Sequence, residues 1–300
     1  MSWIFRSALE HRTGNHPLST IDLPAVAASQ LSTVNSQPFR AWRWTGGQFE
    51  PCDSLPLSDR GFRYGMSVFE SLRVTRGEAE FFEKHAARLV QACAEREFAL
   101  DETALAHAAA LFQDGALEGF ARIYVTAGDG APASPMLDPR LFVLLEERTP
   151  PGADDALEIT LHDESYHAPF GGLKTANYWF NCDALARARR RGFDETLLFN
   201  DRAELVSACT ANVFIVREDR ITTPPRSSGA RAGVIREWVM NRRKVEERRL
   251  RREDVVNADE IFLTNSWIGV MPVATVEGRP LGARSIGPRL AAELAARRRE

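Results

Sequence analysis

The chain has 300 residues, 44% hydrophobic and 26% charged, with a formal net charge of -3. Such values belong to a soluble globular protein with no general attraction to nucleic acid or an anionic membrane. No apolar run approaches the roughly 20 residues that span a bilayer, and the opening MSWIFRSALEHRTGNHP lacks the apolar core of a secretory signal. Cys52, Cys93, Cys182 and Cys209 stand far apart without metal-ligand spacing, so reduced thiols in a cytoplasm and no metal site are expected.

Residues 1 to 38 mix polar and short apolar pieces without a period and read as an N-terminal extension. AWRWTGGQFEP predicts a hairpin turning on Gly46 and Gly47, and SVFESLRV with EAEFF a second one around Gly77. KHAARLVQACAERE and ETALAHAAALFQ carry helical spacing; ARIYVTAG and RLFVLLEE read as strands. The Pro-Pro-Gly stretch predicts a linker over 149–156 between a small domain, 39–148, and a large one, 157–300. In the second half LEITLH, ETLLF, ANVFIV, RITTPP and EIFLTN read as strands. NYWFNCDALARARRR, GVIREWVMNRR and SIGPRLAAELAARRR read as helices. The outline is α+β in two domains with mixed sheets, not an alternating βαβ array. NRRKVEERRLRRED mixes acidic residues among its basic ones and has no aromatics, which favours a solvated helix end and a short strand over a nucleic-acid surface.

Only three of the 38 basic residues are lysines, Lys84, Lys174 and Lys244. The first and last sit in charged helical contexts, whereas GGLKTANYWF surrounds Lys174 with glycine, apolar and aromatic residues. Desolvation there would lower the amine's pKa and free a nucleophilic lone pair. Codon bias explains the arginine excess equally well, so Lys174 stands open between a functional and a packing role. Zincin, nucleophile-elbow, Walker and dinucleotide motifs are absent. A desolvated lysine with possible phosphate-binding features suggests pyridoxal phosphate, which needs a lysine, a phosphate cup and a partner for its ring nitrogen. Arg88 offers a permanently charged fork to phosphate oxygens. Gly233, Val234 and Ile235 open a helix whose free amides favour an anion. Each has a plain alternative, as a surface helix residue or a simple turn.

The chain from about residue 41 to 298 resembles the class IV aminotransferases, the fold-type IV pyridoxal-phosphate enzymes. The likeness is carried by DRGFRYGMSVFESLR (59–73), EKHAARL (83–89), RIYVTAG (122–128), LKTANY (173–178) and GFDETLLFN (192–200), then TANVFIV (210–216), ITTPP (221–225), AGVIR (232–236) and DEIFLTNSWIGVMPV (259–273). That family includes branched-chain and D-amino acid aminotransferases and aminodeoxychorismate lyase. The resemblance implies a smaller N-terminal α/β domain, a larger C-terminal pseudo-barrel domain, pyridoxal 5'-phosphate between them, and a homodimer completing each site. It implies further that Lys174 forms the Schiff base and shuttles the substrate's proton. Arg88, Ser266 and the amides at Val234 and Ile235 match the phosphate-binding positions, and Tyr178 a tyrosine near the cofactor's phenolic oxygen. Tyr64, Phe69 and Arg122 match substrate-pocket positions.

Three departures accompany the likeness. Ser207 stands where the family usually has the glutamate that keeps the ring nitrogen protonated, and serine offers one uncharged hydrogen bond instead. Glu204 matches the turn before that position and is not expected to substitute. Ile235 replaces the phosphate-loop threonine, and Ala127 stands where some members have arginine. The leading expectation is an aminotransferase for an amino acid and a 2-oxo acid with a branched-chain-like pocket. N-S-x-x-G-V-x-P-V at 265–273 resembles the lyases and supports a pyruvate-releasing alternative. A cofactor-binding protein with degenerate activity is the third reading. Ser207 and Cys209 lack a matched base and are poor nucleophiles by this reading.

Overall fold

The computed structural model describes residues 39–152, 154–282 and 285–297, which belong to one compact unit. The extension expected over 1–38 lies outside the described residues.

Two sheets organise the chain. The first strands are β1 (Phe39–Thr45) and β2 (Gln48–Pro51), a hairpin in which Gly46 and Gly47 take φ of +61° and +91°. After a short helix α1 (Arg60–Tyr64) come β3 (Ser67–Thr75), β4 (Glu78–Ala79), α2 (Phe82–Glu95), α3 (Thr103–Ala108), β5 (Gly119–Thr126) and β6 (Arg140–Glu147). They form an antiparallel sheet in the order β2-β1-β6-β5-β3-β4. EAEFF pairs only over Glu78–Ala79, because Phe82 already opens α2. Strand alternation gives one face of this sheet to Val68, Leu72, Val74, Ala121, Ile123 and Val125, which pack on Leu89, Leu105 and Phe112. The other face carries Phe69, Arg122 and Tyr124.

The second half contains β7 (Leu157–Ser165), α4 (Trp179–Arg190), β8 (Glu195–Phe199), β9 (Leu205–Ala208), β10 (Asn212–Arg217) and β11 (Arg220–Thr223). It continues with α5 (Val234–Met240), β12 (Val245–Glu247), α6 (Arg252–Val256), β13 (Glu260–Asn265), β14 (Gly269–Val276), β15 (Arg279–Pro280) and α7 (Ile286–Arg297). The strand order is β12-β11-β10-β13-β14-β7-β8-β9, with β15 on β14, and the pairing is mixed. This sheet curls so that Leu205 from one end shares a core with Val213 and Ile215 from the other. Its outer face is covered by α5 and α7 through Phe214, Trp238, Phe262 and Leu290, and by α4 through Ala184. Among the described residues no helix is long and apolar enough to cross a membrane.

The DRG motif works inside the first sheet. Asp59 accepts from Gly61 N at 2.6 Å, Thr126 Oγ1 at 2.8 Å and Arg140 Nη1 at 2.7 Å. Arg60 is 1% exposed and spends its donors on the carbonyls of Ala127, Gly128, Ala131, Ser134 and Pro135. A buried guanidinium of this kind is tolerable because its N–H groups are hydrogen-bonded. Truncation would orphan the carbonyls that fold the 127–135 loop. Arg60→Met is therefore expected to cost about 3 kcal/mol, read as a lower urea midpoint, with new thermolysin cleavage near the exposed Leu137. An unchanged midpoint would remove this role.

Candidate active site

The site begins at a gap in hydrogen bonding. Strand β4 pairs with β3 only at Val74 and Thr75, so the first half of β3 is left with an open edge. Residues 173–176 fill it: Phe69 N donates to Lys174 O at 2.8 Å, Ala176 N to Ser67 O at 3.2 Å, and Val68 bridges Thr175. The chain enters this edge through Phe170, Gly171 and Gly172, with φ of +48°, +67° and +92°. Glycine suits the last two, since the left-handed region costs it little.

Pairing at the edge aims Lys174 at the face that carries Phe69. Its Nζ lies 4.0 Å from the Phe69 ring centroid and 5.0 Å from that of Tyr178, and donates to Tyr178 Oη at 3.1 Å. Phe69 stacks on Tyr124 at 4.8 Å and meets Tyr178 edge-on at 5.4 Å. Arg231, just before α5, also donates to Tyr178 Oη, and its guanidinium carbon lies 4.7 Å over that ring. Burial first, then the charge of Arg231, pushes the Lys174 amine well below its ordinary value. Glu70 pulls the other way and is outweighed.

A second cluster lies on the opposite face of β3. Glu70, 2% exposed, accepts Arg88 Nε at 2.8 Å, Arg88 Nη2 at 2.5 Å and His85 Nδ1 at 2.8 Å. Burial alone would raise the Glu70 carboxyl, but the charge of Arg88 and the bonds from His85 and Arg88 hold it down at about 2. His85 Nε2 reaches Ser266 Oγ at 3.1 Å, and Arg88 Nη1 donates to the Ala232 carbonyl. Ser266 sits in the β13–β14 turn, pinned by Asn265 Oδ1, which accepts from Trp267 N and Ile268 N at 2.8 Å each. Gly233 caps α5 without a side-chain bond, so the amides of Val234 and Ile235 have no partner one turn earlier in the helix. Ile235 itself is buried in the core beneath, and its amide rather than its side chain is available.

Ser207 pairs with Leu198 on β8 and is half-buried. Among the described residues its hydroxyl forms no hydrogen bond. Among the described residues no carboxylate is hydrogen-bonded to it. Glu195 shares a face with Leu197, opposite to the Leu198–Ser207 face, and receives Thr210 N at 3.1 Å. Glu204 is occupied by Asn200 at 3.1 Å, Ser228 at 2.9 Å and Arg202 at 3.2 Å. Burial pushes the Cys209 thiol up, which removes a thiolate from consideration.

The structure thus brings Lys174, Phe69 and Tyr178 together, and joins Arg88 to Ser266 through Glu70 and His85. Arg122 lies on the Phe69 face but is ion-paired with Glu146. Tyr64 ends α1, 42% exposed beneath Arg63, and makes no hydrogen bond or ring contact with the Lys174 group among the described residues. Arg231, Glu70, His85 and Tyr124 are members that the sequence reading passed over. Glu70 and His85 lie inside FESLR and EKHAARL without a signal of their own. Arg231 is one of 35 arginines, and only its small neighbours in GARAG set it apart.

A family model, amino-transferase class IV, matches residues 67–276. The chain belongs to the class IV aminotransferases. A D-alanine aminotransferase of Bacillus licheniformis is 24% identical over 78% of this chain and 87% of its own length. A branched-chain aminotransferase structure from Thermoproteus uzoniensis, with norvaline, has a TM-score of 0.76 at 19% identity, covering 85% of this chain and 94% of that one. A 4-amino-4-deoxychorismate lyase structure from Pseudomonas aeruginosa has a TM-score of 0.72 at 25% identity, covering 85% and 98%. The α+β fold-type IV architecture expected from the resemblance is therefore that of this chain. Class IV aminotransferases depend on pyridoxal phosphate.

The lowered amine of Lys174 has a direct readout. Reductive methylation at pH 8 should modify it ahead of the exposed Lys84 and Lys244. Arg231→Gln removes the positive charge that lowers the amine most, so the Lys174 pKa should rise and its labelling slow. Labelling led by Lys84 or Lys244 would contradict this ordering.

Proposed function

We propose that this chain is a pyridoxal-phosphate-dependent aminotransferase that exchanges an amino group between an amino acid and a 2-oxo acid. The observation that carries the reading is the Lys174 amine, desolvated against Phe69 and Tyr178 and facing Arg231. The residues present fit the cofactor. A reactive amine, a cationic fork at Arg88, the Ser266 hydroxyl and the free amides of Val234 and Ile235 lie in linked elements. The Ser207 hydroxyl is free to bond a ring nitrogen.

When bound, pyridoxal phosphate supplies a carbonyl that condenses with amines and a ring that draws electrons from the adjoining carbon. In this reading Lys174 Nζ holds the cofactor at rest. It then takes the proton from the substrate Cα and returns it, a role that needs the neutral amine its surroundings favour. Tyr178 Oη orients that amine. Arg88, Ser266 and the backbone at Gly233, Val234 and Ile235 hold the phosphate. Phe69 and Tyr124 wall the substrate side, and Arg122 offers charge toward a carboxylate. An apolar, aromatic wall of this kind suits a branched-chain-like side chain. The six- and nine-stranded sheets correspond to the small and large domains, and a cytoplasmic homodimer whose second copy covers Tyr64 belongs to the same reading.

Ser207 favours one specific alternative. A neutral hydroxyl leaves the ring nitrogen uncharged and weakens electron withdrawal. That handicap matters less for an elimination that releases pyruvate, as in a lyase of the aminodeoxychorismate type. Turnover in the lyase assay alone would select that activity, and cofactor binding with neither turnover would select a degenerate binding protein.

Two experiments test these readings. Borohydride reduction of the protein with its cofactor should leave pyridoxyl on Lys174; a peptide map with the label on Lys84 or Lys244 would overturn the assignment. An absorbance-monitored panel of L- and D-amino acids should convert the cofactor to its amine form, and no conversion by any donor would remove the aminotransferase. Ser207→Glu should accelerate that conversion by about tenfold, the worth of one charge-assisted hydrogen bond. An unchanged or slower rate would mean that the ring nitrogen does not limit turnover.

A further inference from the structure

Donor and acceptor counting around His85 leads beyond this assignment. His85 is fully buried between Glu70 Oε2, 2.8 Å from Nδ1, and Ser266 Oγ, 3.1 Å from Nε2. Glu70 is ionised and can only accept, so Nδ1 must carry a hydrogen. A neutral imidazole then has a bare lone pair at Nε2, and the Ser266 hydroxyl must donate to it. In that state Ser266 presents only lone pairs to a ligand, the wrong polarity for an anion. To donate to a phosphate oxygen, the hydroxyl must turn away from Nε2. The two facing lone pairs are then reconciled only if Nε2 gains a hydrogen and donates to Ser266 Oγ.

The geometry points to His85 as a proton-linked positioning residue: a phosphate dianion at Ser266 binds together with one proton from solvent, which lodges on His85 Nε2. No covalent bond changes; one O–H rotates and one N–H forms. The groups that act on His85 are Glu70 from β3, Arg88 from its own helix and, more weakly and from across β3, the titratable Lys174 of the edge segment. Burial, Arg88 and Lys174 favour the neutral ring, outweighing Glu70, and hold His85 below its ordinary value before the ligand arrives. An arriving dianion adds two negative charges beside the ring and reverses that balance. Affinity for the dianion is therefore greatest at low pH and declines as pH rises above the pKa of His85 in the empty site, until the pKa of the occupied site is passed.

The inference rests on the proposed cofactor only for the natural ligand, and its probes are pyridoxamine phosphate and pyridoxamine, neither of which forms a bond to Lys174. Calorimetric titration of the full cofactor-free chain at pH 8, in buffers of differing ionisation enthalpy, counts protons taken up. Pyridoxamine phosphate should take up more protons than pyridoxamine, by up to one, and its affinity should fall with rising pH by up to about tenfold per unit. His85→Gln, neutral at every pH, should abolish both the excess proton and the slope. Ser266→Ala cuts the link while leaving His85 in place and should do the same, which covers a His85→Gln protein that fails to fold. Binding without the excess proton, or an excess retained in the variants, overturns the role of His85 and leaves the cofactor standing. Absence of binding by either probe overturns both.

Discussion

The open edge of β3 decides where everything else in the site stands. Two backbone hydrogen bonds tie residues 174 and 176 to it, so the lysine is positioned by a ladder and not by a free loop. Consecutive side chains of a strand point to opposite faces. Phe69 therefore turns to the lysine while Glu70 turns to His85 and Arg88. One strand thus separates the Lys174 side from the Arg88–His85 side, and any slip in its register would exchange the two.

Charge is distributed unevenly across that division. Lys174, Arg231 and Arg88 crowd the region, and Glu70 is the carboxylate to which Arg88 and His85 are joined. The same crowding that depresses the lysine amine also resists protonation of His85. Both effects come from burial among like charges, and both respond in the same direction to an anion. On the proposed reading, a phosphate group would be a counterion as well as a handle. Ser207 continues this theme on the other side, where a neutral hydroxyl replaces an expected charge.

Much of the fold was legible because it rests on strong local periodicity. The long amphipathic α2 and the apolar runs of β5, β6, β8 and β10 follow their patterns closely. β9 is only four residues long and β14 is interrupted by Pro272, so neither carries a clear strand signal of its own. Lys174 stood out because lysine is rare here and its neighbours are apolar. Arg231 did not, since an arginine-rich chain offers no contrast. The His85–Ser266 contact joins residues 181 apart and has no local signature at all. Asp59 and Arg60 sit in a motif that marks the family, yet their bonds build a loop. The Ser207 departure was readable only against the family pattern, whereas its unpartnered hydroxyl needed the fold.

The cluster of Glu70, Arg88 and His85 has a consequence for stability. A folded state that gathers like charges without their counterion is strained against unfolding, and a ligand that binds only the folded state lowers its free energy by mass action. On the proposed reading, an anion held by Arg88 and Ser266 would stabilise the folded chain as well as serve its chemistry. On that reading, the groups that would hold a phosphate make the stability of the chain, and not only its activity, depend on the ligand.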